Sequence, residues 1–339
     1  MSIRLAGVTK RFGARAAVDD VSVELSTGEF FAIVGASGCG KSTLLRLIAG
    51  LEVADAGEIA LAGRTVSGPG LHVAPEDRNV GFVFQSYALW PHLDVRGNVA
   101  FPAEAAGVKR AEAARNADRH LATVALTDYA ARKPADLSGG QRQRVALARC
   151  LAQEAGTILM DEPLANLDPH LRSTMEEELV GFHRTAGATT VYITHDQREA
   201  MAVADRMAVM AEGRFLQVGT PTEIYDRPAN AAVARFIGHG AVQPVSVEGG
   251  AVRLAGHPVK LRGNGGTHAL FRPADLSVTD PDATTLSATV ESVLYRGGHW
   301  EGTARVEGLS EPFQLHLDRP VEVGERLGLM INGGWILPG

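Results

Sequence analysis

Residues Gly35 to Thr43 read GASGCGKST and fit the pattern G-x-x-x-x-G-K-[ST] with Gly35, Gly40, Lys41 and Ser42. The apolar run FFAIVG (Phe30–Gly35) leads into it, and STLLRLIAGL follows from Ser42 with helical spacing. Strand, glycine loop and helix start, in that order, constrain the fold strongly. The backbone N–H groups of the loop and of the first helical turn converge on one point, and a phosphate satisfies them there. In this frame Lys41 offsets charge on the β- and γ-phosphates and the Ser42 hydroxyl ligates Mg²⁺, while Ala36, Ser37, Gly38 and Cys39 form the loop between the glycines. A plain glycine turn is the competing reading, and the strand and helix on either side argue against it.

Two further apolar runs read as buried strands, TILMD (Thr157–Asp161) and TVYITH (Thr190–His195). The first carries Asp161 and Glu162 to its carboxyl end, where ligands bind in such sheets. Downstream of a phosphate loop, Asp161 fits the carboxylate that supports Mg²⁺ and Glu162 sits where it could polarise a water. His195 ends the second strand at the same edge. Taken singly, His195 and Gln85 read as ordinary surface residues and Phe12 as core.

Up to about Arg235 the chain alternates β-rich and helical stretches, the pattern of an α/β domain with a largely parallel sheet. From roughly Ala100 to Gln153 it is rich in Ala, Arg and Glu, which reads as an inserted helical subdomain spanning about 86–153. Arg206–Gly219 reads as a hairpin turning at Glu212-Gly213, and Thr220 caps a short helix with Glu223 closing the box. After Gly238 short alternating strands separated by Gly, Pro and Asp predict a small all-β barrel or sandwich. The expected domains are therefore 1–237 and 238–339.

Composition bears on partners. The net charge of −6 argues against a dedicated nucleic-acid binder, and residues 240–339 hold eight Lys/Arg against eleven Asp/Glu. Cys39 and Cys150 are too far apart for a metal-binding CxxC. No apolar run approaches the roughly 18 residues of a membrane span, and the start lacks a signal peptide's apolar core. A cytoplasmic location is the expectation, with any membrane link made through a partner.

The stretch DLSGGQRQRVALARCLAQ (Asp136–Gln153) is the anomaly. Ser138 and Gln141 form a capping box, yet Gly139 and Gly140 occupy the first helical positions at about 1 kcal/mol each relative to alanine. Arg142, Arg144 and Arg149 follow with no acid, which reads as positive potential offered to an anion.

In the order Phe12, GASGCGKST, Gln85, LSGGQ, ILMDE, ANLD and His195, these pieces closely resemble the ATP-binding cassette (ABC) transporter ATPases over essentially the first 235 residues. FRPADLSV and the β-rich tail resemble subunits of bacterial importers with a C-terminal TOBE-like regulatory domain, the group that moves sugars, polyamines, iron(III), sulfate and phosphonates. The stretch VARFIGHGAVQPV (Val233–Val245) resembles iron(III)- or phosphonate-type importers slightly more than sugar ones.

The resemblance implies that Phe12 stacks on adenine with Val18 beside it, and that Gly35–Thr43 bind the triphosphate. It implies that Gln85 touches Mg²⁺ and the water, that Glu162 is the general base and that His195 contacts the γ-phosphate. Ser138, Gly139, Gly140 and Gln141 would contact ATP held by a second copy, and Asp168 would end a loop crossing that interface. Ala165 departs from the serine usual in that loop. The implied activity is ATP hydrolysis by a nucleotide-sandwich homodimer. It would act beside two membrane permeases docked near Phe84–Phe101 and a periplasmic or extracellular solute-binding protein, at the cytoplasmic face of the membrane. The alternative is a soluble ABC ATPase acting on nucleic acid or ribosomes; a GTPase is disfavoured because no N-K-x-D motif occurs.

Overall fold

Strand Phe30–Val34 is buried at every position, as a parallel strand covered on both faces must be. Each such side chain contributes about 1.5–3 kcal/mol on burial. In the computed structural model, which describes residues 2–165, 169–281 and 286–338, this strand sits inside a six-stranded sheet. The order is Arg214–Gly219, Arg206–Ala211, Phe30–Val34, Thr189–Thr194, Thr157–Asp161, Val80–Val83. Neighbours from Arg206–Ala211 through Val80–Val83 pair in parallel, and the Arg206–Ala211/Arg214–Gly219 hairpin adds one antiparallel strand.

Register decides what the sheet presents at its edge. Val34 lies opposite Thr194, Asp161 opposite Ile193 and Val83 opposite Met160. The residues following these strands therefore leave the sheet at one carboxyl edge, which is where the phosphate loop begins. Helix Lys41–Ala49 starts at that edge and buries Leu44, Leu45, Leu47 and Ile48.

A second, antiparallel sheet, not anticipated from the sequence, packs in the same core. Its order is Arg15–Leu25, Ile3–Phe12, Ala56–Leu61, Arg64–Gly68, Leu71–His72. The three helices Val95–Ala105, Arg110–Thr123 and Gly139–Ala152 share a separate apolar cluster that includes Val99, Ala117, Leu121 and Val145. The first of them starts earlier than expected because the Asp94 side chain accepts the Gly97 N–H at 2.7 Å and caps it.

The chain divides into compact units Met1–Pro221 and Thr222–Gly339. The boundary precedes the change of composition after Gly238, because Arg272 gathers the short helices Pro221–Asp226 and Ala231–Phe236 into the second unit. The residue is 5% exposed, and its guanidinium donates to the carbonyls of Tyr225, Ala234 and Ile237. The other described elements of that unit are strands, apart from one 3₁₀ turn at Pro273–Asp275. A five-stranded antiparallel sheet runs Leu276–Thr279, Arg326–Ile331, Leu286–Tyr295, Trp300–Val306, Phe313–Leu317, and its two edge strands touch each other, so the sheet nearly closes into a barrel.

Candidate active site

The phosphate loop is built by close approach. A Cβ on Gly35 would collide with the Met210 carbonyl oxygen, and one on Gly40 with that of Ala17. Gly40 also sits at φ +112, a conformation that side chains resist. Lys41 is buried, and its Nζ donates to the carbonyls of Gly35 at 2.8 Å and Ala36 at 3.1 Å. Phe12, Arg15, Ala17, Ser37, Gly38, Gly40, Lys41, Ser42, Thr43 and Glu162 line a cleft of about 400 Å³ at this point.

Phe12 is 53% exposed at the end of its strand, with the Lys10 ammonium 5.4 Å from the ring centre, so it is a surface aromatic beside the cleft and not core. Val18 corrects the expectation of a contact with the base: it is fully buried, and Ala17 lines the cleft instead. The inward face of strand Arg15–Leu25 belongs to the core, which takes the more apolar side chain. Arg15, which sequence reasoning missed, donates to the Gly38 carbonyl at 3.1 Å. Its signal was its pairing position opposite Phe12 in the first hairpin.

At the far end of the cleft the Ser42 hydroxyl donates to Asp161 Oδ1 at 2.9 Å. Burial pushes the Asp161 carboxyl up from its ordinary range and the Glu162 charge adds to this, while the Ser42 hydrogen bond draws it down. Hydroxyl and carboxylate oxygens are hard donors suited to Mg²⁺. Among the described residues no group of three or more His, Cys, Asp or Glu could hold a metal.

Glu162 adopts φ +46, a left-handed conformation that costs a non-glycine residue on the order of 1–3 kcal/mol. It is held there by its N–H to Ile193 O at 2.9 Å and by its carbonyl accepting the Ala165 N–H at 3.2 Å. Its Oε2 lies 3.5 Å from Gln85 Nε2 and 3.3 Å from His195 Nδ1. Three residues far apart in sequence thus meet on one oxygen, next to the phosphate loop.

The capping box at Ser138 and Gln141 is present, with bonds of 3.3 and 2.9 Å. Ser138, Gly139, Gly140 and Gln141 do not line the cleft. Two arginines of that helix correct the expectation of free positive potential. Arg144 is paired with Glu178, and Arg149 is buried, donating to the carbonyls of Ala88 at 2.8 Å and Tyr87 at 2.9 Å. Both are spent within the chain, Arg144 on a carboxylate and Arg149 on backbone carbonyls, and both hold the helix to its neighbours. Asp168 lies outside the described residues.

Similarity to known proteins agrees with this cleft. The ABC transporter family model matches residues 18–165 and the TOBE domain model residues 269–336. The spermidine/putrescine import ATP-binding protein PotA of Rubrobacter xylanophilus is 45% identical over 311 residues, covering 88% of this chain and 81% of the relative. The chain belongs to the ABC transporter family. The sn-glycerol-3-phosphate import ATP-binding protein UgpC 2 of Agrobacterium fabrum is 48% identical, covering 75% of this chain and 68% of the relative. The trehalose/maltose import ATP-binding protein MalK of Thermococcus litoralis is 49% identical, covering 70% and 64%. A dimeric post-hydrolysis structure of the ATP-binding cassette MJ0796, bound to ADP and phosphate, superposes with a TM-score of 0.57 at 31% identity, covering 65% of this chain and 98% of that one. This ABC chain is therefore an ATP-binding subunit of the import type, an ATPase cassette followed by a TOBE domain.

Proposed function

We propose that this chain hydrolyses ATP by in-line attack of water on the γ-phosphorus, with Glu162 as base, and that the cycle drives solute import through membrane permeases. The observation that carries the site assignment is the convergence of Gln85 and His195 on Glu162 Oε2 beside the phosphate loop.

Phe12 and Arg15 frame the base end of the cleft, and the loop amides with Lys41 hold the phosphates. Ser42, Asp161 and Gln85 are the residues that would hold Mg²⁺, which when bound would supply positive charge to offset that of the phosphates. Glu162 orients the water and accepts its proton as the new P–O bond forms and ADP leaves with the electrons of the broken one. His195 donates toward the γ-phosphate oxygens, where charge accumulates. Lys41 now spends its hydrogen bonds on the loop's own carbonyls, so phosphate binding exchanges those acceptors for the ligand's.

Two copies fit this chemistry better than one, since Ser138–Gln141 lie outside the cleft and their helix start, with no acid in its first turn, suits an anion. A second copy, placed as in the dimeric relative, would supply that anion across the interface. On the helical side a groove of about 1430 Å³, lined by Pro102, Val108, Asn116, Arg119 and Gln153 among others, is large enough to receive a segment of a permease. None of the residues that line it falls within the docking region expected at Phe84–Phe101. No helix of the described residues is long and apolar enough to cross a membrane, so attachment at the cytoplasmic face would run through those permeases. A solute-binding protein would act from the far side.

The relatives named above import a polyamine, a phosphorylated glycerol and disaccharides at 45–49% identity, so similarity of this subunit does not select the cargo. The physical reason is that cargo crosses inside the permeases. Replacing Glu162→Gln tests the mechanism: ATP binding persists, turnover falls on the order of 100-fold or more, and an ATP-bound dimer accumulates on size exclusion. Undiminished turnover would remove Glu162 as the base.

A further inference from the structure

The proposed mechanism needs His195 held at the strand edge, yet its side chain is 51% exposed. Its flanks are what is fixed. Thr194 Oγ1 donates to Glu199 Oε2 at 2.5 Å and accepts the Asp196 N–H at 3.0 Å, so one hydroxyl fastens both neighbours of His195. Glu199 is 4% exposed, and the same Oε2 accepts the Tyr192 hydroxyl at 2.9 Å. Asp196 caps helix Gln197–Val203 by accepting the Arg198 N–H at 2.9 Å.

Opposite these acids stands Arg172, from helix Pro169–Ala186. Its Nε is 3.8 Å from Glu199 Oε1 and its Nη1 3.8 Å from Asp196 Oδ2, and the buried Nε makes no hydrogen bond among the described residues. A buried carboxylate without a partner is strongly destabilising. Glu199 takes two hydroxyls on one oxygen and faces the guanidinium with the other. It does not line the nucleotide cleft, so its burial calls for a role elsewhere.

We propose that Glu199 and Arg172 are a positioning pair for His195, coupling its orientation to helix Pro169–Ala186. This rests on the site reading above. The helix follows directly on the segment ANLD, and through Glu178 it also holds Arg144 of the helix that Ser138 caps. A shift of this one helix therefore reaches His195 through Arg172 and the LSGGQ helix through Glu178. The 3.8 Å spacing, close but outside hydrogen-bond distance, leaves room for the pair to tighten when two copies close on ATP.

The test is steady-state ATPase of the full chain, with Arg172→Met, Arg172→Lys and Glu199→Gln each made in the parent and in a His195→Ala background. Arg172→Met is expected to lower kcat about tenfold with KM for ATP unchanged, and Arg172→Lys to recover most of it. In the His195→Ala background Arg172→Met is expected to add nothing, the non-additivity of residues that act through one another. Full turnover of Arg172→Met, or an undiminished loss in the His195→Ala background, overturns the inference alone. Normal turnover of His195→Ala by itself overturns the site reading and the inference with it. If Arg172→Met does not fold, Glu199→Gln carries the same test, because its amide oxygen still accepts from both hydroxyls.

Discussion

Asp161 shows how an active site sets stability against chemistry. Burial raises its carboxyl and Glu162 repels its charge, so the ionised form that would hold a cation is unfavourable without one. A carboxyl raised in the folded state favours folding while protonated and loses that contribution as pH rises through its folded value. At neutral pH the charge is a net cost. Asp161→Asn, which keeps an oxygen for the Ser42 hydroxyl, is therefore expected to raise the melting temperature of the nucleotide-free chain by a few degrees while abolishing hydrolysis. Differential scanning calorimetry beside an ATPase assay checks both halves. Phe12 offers a second measurement. An exposed ring beside the cleft is free to stack on a base, worth about 1–3 kcal/mol in other proteins, so Phe12→Ala should raise the Kd for ATP by on the order of tenfold or more. Equilibrium titration with a fluorescent ATP analogue reads this, and an unchanged Kd would assign the base to other residues.

The helix Gly139–Ala152 joins a local cap to long-range partners. Its capping box was legible from Ser138 and Gln141 because a cap is a local device, complete within four residues. Its arginines were not, because their partners arrive from elsewhere. Arg144 meets Glu178 from the helix after ANLD. Arg149 meets the Tyr87 and Ala88 carbonyls, where the chain takes two successive left-handed turns at φ +62 and +45. Substitutions at Ser138 separate the two functions of this helix start. Ser138→Ala removes the cap and is expected to cost about 1 kcal/mol of stability. Ser138→Arg should abolish hydrolysis yet leave nucleotide binding to the single chain nearly unchanged. Collapse of that binding would mean the helix serves its own chain's site. The antiparallel sheet was missed for a related reason. Its register is interrupted by shifts at Leu5–Val8 and Val8–Lys10, which blur the two-residue alternation that marks a strand in sequence.

For the whole molecule, two compact units with separate cores predict two unfolding transitions. Mg²⁺ and ATP at 100 times Kd should stabilise the first unit by about 2.7 kcal/mol and leave the β unit's transition in place. Calorimetry with and without nucleotide checks this, and a single transition moved as a whole would show the units to be coupled. The α/β class, the phosphate loop, the acidic strand end and the β-rich tail are legible in contiguous residues, since the spacing of each answers to one strand or one helix turn. Long-range packing is what brings Gln85 and His195 together on Glu162, puts Val18 in the core, lets Arg272 draw two helices into the second unit and sets Arg172 between Asp196 and Glu199. Those are contacts between residues tens of positions apart, or a choice of face. Sheet register and the packing of helix against helix settle them, and a window of sequence contains neither.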